Sequence, residues 1–432
     1  MADSFKKRRI MSDFICQDIL MEILKRLSVK SLVRFTCVQK SWYHLIQSPD
    51  LVDLHYHHMK NKNKYLLFQN RYHSDFFLGV DDKQCNEYYS GLPFPYIPKD
   101  METGFVYKNK IHGTCQGLIC FSAEQQSFPP RHWVFLWNPA IRLFKILPNS
   151  PDSLSRDQRY HDLALGYFPK INDYKVIKFQ SNFSMGGVGH RVSTVYIYSL
   201  STDSWKTVGQ DNVAQFSRYE KLYNSVILNG VAYWVGIIRD PFTHVIVCFD
   251  IEKEKIGEII LAPQNALDAV STDLIFSFNL VQHFDQVLLS AVCMNWRANT
   301  PCILDIFALG NDGVDVVCTK KVTIDFNKVG RNWWPIGFRY SGEIVVFNYH
   351  YNEGGFLSYD HDKEVATEIL DNSWKLWSYA AIRTPDNPGY DYVPRFFEIF
   401  DVQQEHMQFM YVNSFEESLV LLGDKRCLKA RN

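Results

Sequence analysis

The chain is 432 residues long, 46% hydrophobic, 15% aromatic and 22% charged, with a formal net charge of −1. That length and apolar content suit a soluble protein of two unequal domains with a sizeable core, and the aromatic excess, 24 Tyr and 31 Phe, favours β-structure. Residues 1–64 hold 12 Lys and Arg against 6 Asp and Glu, which leaves 34 against 41 in the remainder; a mildly acidic body argues against nucleic-acid binding.

Residues 1–12 read as a flexible basic tail whose Lys6-Lys7-Arg8-Arg9 cluster suits either a nuclear address or plain disorder. They lack the apolar h-region of a secretory signal, and the longest later apolar run, Val226 to Ile238, is broken by Asn229-Gly230, so no membrane span is expected. Ten cysteines without a paired framework read as reduced thiols in a cytoplasmic or nuclear protein. From Gln17 the apolar residues Ile19, Leu20, Ile23, Leu24 and Leu27 recur at helical spacing over an arc of about 140°, opposite Asp18, Glu22, Lys25 and Arg26. A second helix carries Leu32, Val33, Phe35 and Val38, with Ser31 placed to cap its first turn. A third holds Trp42, Leu45 and Ile46 and is closed by Ser48-Pro49, and a further short helix is expected from Asp50. A unit of this size buries too little surface to stand alone. Its apolar face must meet either a partner or the body of the same chain, and periodicity leaves both open.

Asp18-Ile19-Leu20, Glu22-Ile23-Leu24, Arg26-Leu27, Val29-Lys30-Ser31-Leu32, Arg34-Phe35, Cys37-Val38, Lys40-Ser41-Trp42 and Leu45-Ile46 fall at fixed spacing, and residues 13–58 resemble a plant-type F-box. The resemblance implies docking to a Skp-type adaptor and, through it, to the cullin and RING subunits of an SCF ubiquitin ligase. On the matching positions the adaptor-facing residues would be Ile15, Cys16, Leu20, Leu24, Leu27, Val38, Trp42 and Leu45. Where that family usually opens with Leu-Pro this chain has Ile15-Cys16, which removes a rigid start to the helix and bears on affinity more than on mode.

After a polar linker at residues 59–64 the period changes from helical to alternating, and Tyr65 to Phe68 and Phe76 to Leu78 read as the first strands of a domain over residues 65–425. A loose repeat follows, in which a Gly- or Asp-led strand precedes one that ends in an aromatic and a turn. The equivalent aromatics are Trp137, Tyr198, Phe249, Phe307 and Tyr359, at intervals of 61, 51, 58 and 52 residues, a length that suits a four-stranded antiparallel blade. Placed radially, such blades make a β-propeller, here expected to have six to eight. Glu417 to Leu422 is the expected final strand, pairing near Tyr65 to Phe68 so that no sheet edge is left open. The fold class expected is therefore mainly β, a small all-α N-terminal unit followed by a large antiparallel propeller.

This part also resembles a family. His112-Gly113 with Gly117 to Cys120, Trp137-Asn138-Pro139, Leu165-Gly166-Tyr167 with Asn172 to Val176, Tyr198-Ser199-Leu200 with Asp203 to Lys206, Asn229 to Trp234, Phe249-Asp250 and Glu417 to Val420 are similar to the kelch-like, F-box-associated region of plant F-box proteins, including the S-locus (S-haplotype-specific) group. The S-locus likeness implies pollen–pistil self-incompatibility with a secreted ribonuclease as target, although the same architecture serves other pathways.

No catalytic or metal constellation outweighs its structural alternative. Cys115 and Cys120 flank a predicted strand and read as core thiols, His55 and His58 read as an exposed helix face, and Gly186 to Gly189 lacks the strand–helix context of a phosphate loop. Asp240, Asp268 and Asp273 lie in long loops and are read as turn residues rather than a glycosidase set. No cofactor or metal is expected. Long, irregular segments on a regular scaffold suit recognition, and Arg218, Tyr219, Tyr223, Arg331, Trp333 and Trp334 are the residue types of interface hot spots. The expected function is a non-enzymatic substrate receptor of a ubiquitin ligase acting on a target protein, with no nucleic acid or membrane partner. An interaction scaffold that has lost adaptor binding and a propeller hydrolase are the alternatives.

Overall fold

The computed structural model describes residues 16–60, 62, 64–70, 75–81, 88–89, 106–125, 131–151, 160–183, 190–208, 219, 221–238, 243–260, 274–283, 286–295, 300–311, 316–325, 333–348, 355–369, 410–421, 424 and 427–429. The basic tail, Ile15, the Gly186–Gly189 stretch, Asp240, Asp268, Asp273 and most of the long segments between strands lie outside the described residues.

Four helices come first: α1 (Gln17–Leu24), α2 (Val29–Phe35), α3 (Lys40–Ile46) and α4 (Pro49–Met59). α1 stops one turn short of Leu27, because the N–H groups of Arg26 and Leu27 bond three residues back, to the Ile23 and Leu24 carbonyls, and tighten the chain into a turn. The cap of α2 is Ser28 rather than Ser31; its Oγ accepts from the Ser31 N–H at 3.3 Å. Ser48 caps α4 in the same way, accepting from the Leu51 N–H at 3.3 Å, and Pro49 occupies the first helical position, where its missing N–H leaves no bond unmade. The fourth helix therefore starts at Pro49, one residue before the expected Asp50.

Among the described residues the β-body consists of six antiparallel sheets. Sheet 1 joins Met410–Phe415 to Tyr65–Asn70, Asp75–Val80 and Tyr88–Tyr89; sheet 2 runs Val106–Cys115, Leu118–Gln125, Arg131–Asn138 and Leu143–Ile146, with Leu428–Lys429 on its outer edge. Sheet 3 is Tyr160–Phe168, Asp173–Phe183, His190–Ser199 and Ser204–Thr207, and sheet 4 is Lys221–Leu228, Val231–Ile238, Thr243–Asp250 and Lys255–Ile260. Sheet 5 is Leu274–His283, Gln286–Asn295, Thr300–Asn311 and Val316–Asp325; sheet 6 is Trp333–Phe338, Ile344–Asn348, Gly355–Asp360 and Val365–Glu368. The inner strands of successive sheets touch in cyclic order and return from sheet 6 to sheet 1, which makes a closed β-propeller. Of the expected six to eight four-stranded blades five are present among the described residues, and the remaining sheet of the ring, sheet 2, departs from that form by taking a fifth strand from the C-terminal segment.

Both ends of the β-body meet in sheet 1, where Tyr65 pairs with Phe415 and Asn70 with Met410. The closing strand is Met410–Phe415, not the expected Glu417 to Leu422. Residues 416–421 instead leave the sheet: the Asn138 Nδ2 donates to the Ser418 carbonyl at 3.0 Å and to the Val420 carbonyl at 2.8 Å, and Leu421 turns with φ of 73°.

The predicted repeat corresponds to the second, third and fourth strands of sheets 2 to 6. Trp137, Tyr198, Phe249 and Tyr359 each stand next to last in the third strand and are buried, whereas Phe307 lies four residues before the end of its longer strand and is half-buried. The turn that follows recurs as a device. Asn138, Asp250 and Asp360 each accept, on Oδ1, the N–H of the residue two positions on, and the last turn residue, Arg142, Asp203, Glu254 or Glu364, has φ of 52° to 55°. Neighbouring blades are pinned through these turns. Lys145 of sheet 2 bonds Asp203 of sheet 3 at 3.0 Å, and Lys206 of sheet 3 bonds Glu254 of sheet 4.

Candidate protein-docking face

The apolar arc of α1 divides its residues between two environments. Leu24, at one edge of the arc, is 0% exposed and belongs to one core with Val29, Leu32, Ile46 and Leu51 of the other helices and Leu118, Leu136, Leu165 and Leu419 of the β-body. Leu20, Leu27, Trp42 and Leu45 are partly buried against that core. Ile19, at the other edge, is 57% exposed and Ile23 is 47% exposed. Val38, after α2, is 61% exposed and Tyr43 of α3 is 40% exposed. Four large apolar side chains of this short helical unit thus face solvent, a concentration that ordinary surfaces disperse.

The expected adaptor-facing set is accordingly redistributed. Cys16 and Val38 are exposed, Leu20, Leu27, Trp42 and Leu45 are half-buried with Trp42 edge-on to Phe35 at 5.5 Å, and Leu24 is fully buried in the core that the helices share with the β-body. Ile15 lies outside the described residues. Ile19, Ile23 and Tyr43, outside the expected set, are exposed as well; Ile19 and Ile23 form the outer edge of the same arc, and Tyr43 lies on α3. Beside this surface Glu22 meets Lys25 at 2.5 Å and Arg26 at 3.5 Å, and the Lys25 hydrogen bond holds its carboxyl below the ordinary range.

His55 is a correction. It is buried rather than exposed, and its Nε2 lies 2.9 Å from the Leu27 carbonyl, so it locks α4 under the α1–α2 corner; burial lowers its pKa. Among the expected target-binding residues, Tyr219 is 1% exposed, inside the core shared by sheets 3 and 4, and is removed from that set. Arg218 and Arg331 lie outside the described residues, while Tyr223, Trp333 and Trp334 sit in inner strands whose backbone alone is described.

One buried and one half-buried polar group were not anticipated. Asp162 on the inner strand of sheet 3 lies 2.9 Å from the Lys110 Nζ and 3.5 Å from the His112 Nδ1 on the inner strand of sheet 2, and the His112 Nε2 is 2.8 Å from the Ser122 Oγ. The order Asp, His, Ser is that of an acid–base relay. Lys110 already balances the carboxylate, and Ser122 is buried on the second strand of its sheet, so the arrangement pins two blades together. The second group is Glu416, which accepts from the Tyr56 hydroxyl of α4 at 2.6 Å and from the Tyr340 hydroxyl of sheet 6 at 3.0 Å; burial raises its carboxyl pKa, only partly offset by those bonds. Burial pushes the Cys115 thiol up to about 12 and Cys120 higher still. Among the described residues no cluster of His, Cys, Asp and Glu could hold a metal ion, and no helix is long and apolar enough to cross a membrane.

Comparison with known proteins agrees with this division. Residues 15–54 match the F-box domain, and residues 94–292, reaching from before sheet 2 into sheet 5, match the F-box associated beta propeller domain. The F-box protein At3g16210 of Arabidopsis thaliana is 26% identical over 255 residues, covering 59% of this chain and 62% of that protein. F-box only protein 8 of the same plant is 26% identical over 269 residues, covering 60% of this chain and 83% of that protein. The chain spans 60–65% of the length of the first such relatives it matches. Among solved structures, a chain of the nidogen/laminin complex aligns with a TM-score of 0.40 at 11% identity, over 72% of this chain and 95% of that one. With helices that match the one domain and sheets that match the other, the chain is an F-box protein with an F-box-associated β-propeller, homologous to F-box proteins of Arabidopsis thaliana.

Proposed function

We propose that this protein is the substrate-recognition subunit of an SCF ubiquitin ligase. The exposed apolar surface of α1 to α3 holds a Skp-type adaptor, and through it the cullin and RING subunits, while the propeller holds a target protein. The carrying observation is that Ile19, Ile23, Val38 and Tyr43 remain exposed within the segment that matches the F-box domain. Chemistry is left to the conjugating machinery; the contribution of this chain is effective concentration, since tethering turns a bimolecular transfer into a nearly intramolecular one. The finer reading, recognition of a secreted ribonuclease in self-incompatibility, rests on the sequence resemblance to the S-locus group alone, and cytoplasmic or nuclear residence follows from the ligase role.

Pull-down of a purified Skp-type adaptor by the full chain tests the reading. Wild type is expected to capture it, and Ile19→Asp combined with Val38→Asp to lose at least about a hundredfold in affinity, since two desolvated aliphatic contacts at an interface centre are worth roughly 3 kcal/mol or more. Thermal unfolding of the double variant is expected to match wild type because both side chains are exposed. Equal capture by wild type and variant overturns the assigned face; no capture by wild type favours the scaffold alternative.

A further inference from the structure

Residues 416–421 form neither part of the helical unit nor part of a blade. They begin directly behind the strand that closes the ring, Met410–Phe415, and run between the helices and sheet 2. At their start Glu416 is shared between Tyr56 of α4 and Tyr340 of sheet 6. Ser418 and Leu419 are wholly buried, and Leu419, Val420 and Leu421 sit in the same core as Leu24, Val29, Leu32, Ile46 and Leu51. Asn138 grips the segment from below through the Ser418 and Val420 carbonyls. The turn at Gly117 makes room for it. With φ of 78° this position already favours glycine, and an added Cβ would come within 2.8 Å of the Glu416 carbonyl oxygen.

We propose that residues 416–421 are a strap that couples closure of the propeller ring to the seating of the F-box helices, so that whatever loosens the closing strand also frees the helices, and whatever unseats the helices weakens the closing strand. The reciprocity is thermodynamic. If one segment contributes contacts to both elements, the free energy by which the first stabilises the second equals that by which the second stabilises the first. The strap stands on contacts within the chain, so it holds or falls apart from the adaptor reading.

Amide hydrogen exchange on the full chain, without adaptor, tests the coupling from both sides. Asn138→Asp keeps the acceptor that the Ala140 N–H uses at 3.1 Å but can no longer donate to the strap carbonyls. It is expected to accelerate exchange in α1 to α4 by at least about tenfold, the consequence of leaving buried carbonyls unpaired, with sheets 4 and 5 unchanged. Tyr56→Phe, altered only on the helix side, is expected to accelerate exchange in Met410–Phe415 and residues 416–421. Acceleration confined to the mutated side in either variant overturns the proposal, and so does equal loosening of sheets 4 and 5, which makes the strap ordinary core. If Asn138→Asp does not fold, Tyr56→Phe alone decides.

Discussion

Asp162 keeps its charge in the interior because two neighbours supply the opposite sign. Burial pushes its carboxyl up, but the Lys110 ammonium and His112 push harder and hold it below the ordinary value. A carboxyl with a depressed folded-state pKa contributes stability that is complete above its unfolded value, about 3.9, and is lost as the pH falls through the lower folded value. Asp162→Asn is therefore expected to destabilise the protein by roughly 3 kcal/mol at neutral pH, the cost of leaving a buried partner uncompensated. The gap between variant and wild type closes below about pH 4. Urea titrations at a series of pH values measure both; a gap that stays constant down to pH 2 shows that Asp162 acts through shape rather than charge.

On α1 the division between core and surface runs along a single helix, and it assigns different costs to neighbouring residues of one apolar arc. Leu24→Ala removes a fully buried side chain and is expected to cost about 2–5 kcal/mol, while Ile19→Ala lies within roughly 0.5 kcal/mol of wild type. Denaturant midpoints of the two variants decide; similar losses would mean that Ile19 is buried in solution. The arc itself was legible in the sequence, since Ile19 to Leu27 follow helical spacing. Which edge meets the body was not, because an arc of about 140° is wide enough to serve two partners and periodicity carries no sign for either. The same limit explains the strands. Third strands were legible from Trp137, Tyr198 and Phe249, whose aromatic-then-turn pattern is local. Inner strands were not, because Lys110 and Asp162 interrupt their apolar runs and find their charge partners only across the blade boundary. The run from Glu417 to Leu422 looked like a strand because it is apolar, yet what buries residues 418–421 is a layer of helices above and sheet 2 with Asn138 below, and among the described residues it pairs with no strand.

Each blade meets its neighbours and the ring closes on itself, so cohesion of the whole rests mainly on a series of inter-blade contacts with no free end, to which Ser225 of sheet 4 adds a bond to the His112 carbonyl of sheet 2 at 3.3 Å. Apolar packing supplies most of that cohesion, but it is non-directional and does not set the angle between blades. The lysine-to-turn pins do, because each ties an outer strand to the left-handed residue that ends the next blade's turn: Lys145 to Asp203, then Lys206 to Glu254. The first of these pins is asymmetric. Lys145 is buried, whereas Asp203 is partly exposed and is further held by the Tyr198 hydroxyl at 2.7 Å. Asn tolerates the left-handed backbone at residue 203 as well as Asp does, so Asp203→Asn removes the charge and preserves the turn. It strands a buried ammonium and is expected to cost roughly 3 kcal/mol. Lys145→Met, which deletes the buried charge and keeps the stem volume, is expected to be close to neutral because Asp203 retains water and Tyr198. Thermal unfolding of the two single variants and the double distinguishes a charge pin from a packing one: Asp203→Asn added to Lys145→Met should cost almost nothing further, and full additivity would show that the two side chains stabilise the ring independently.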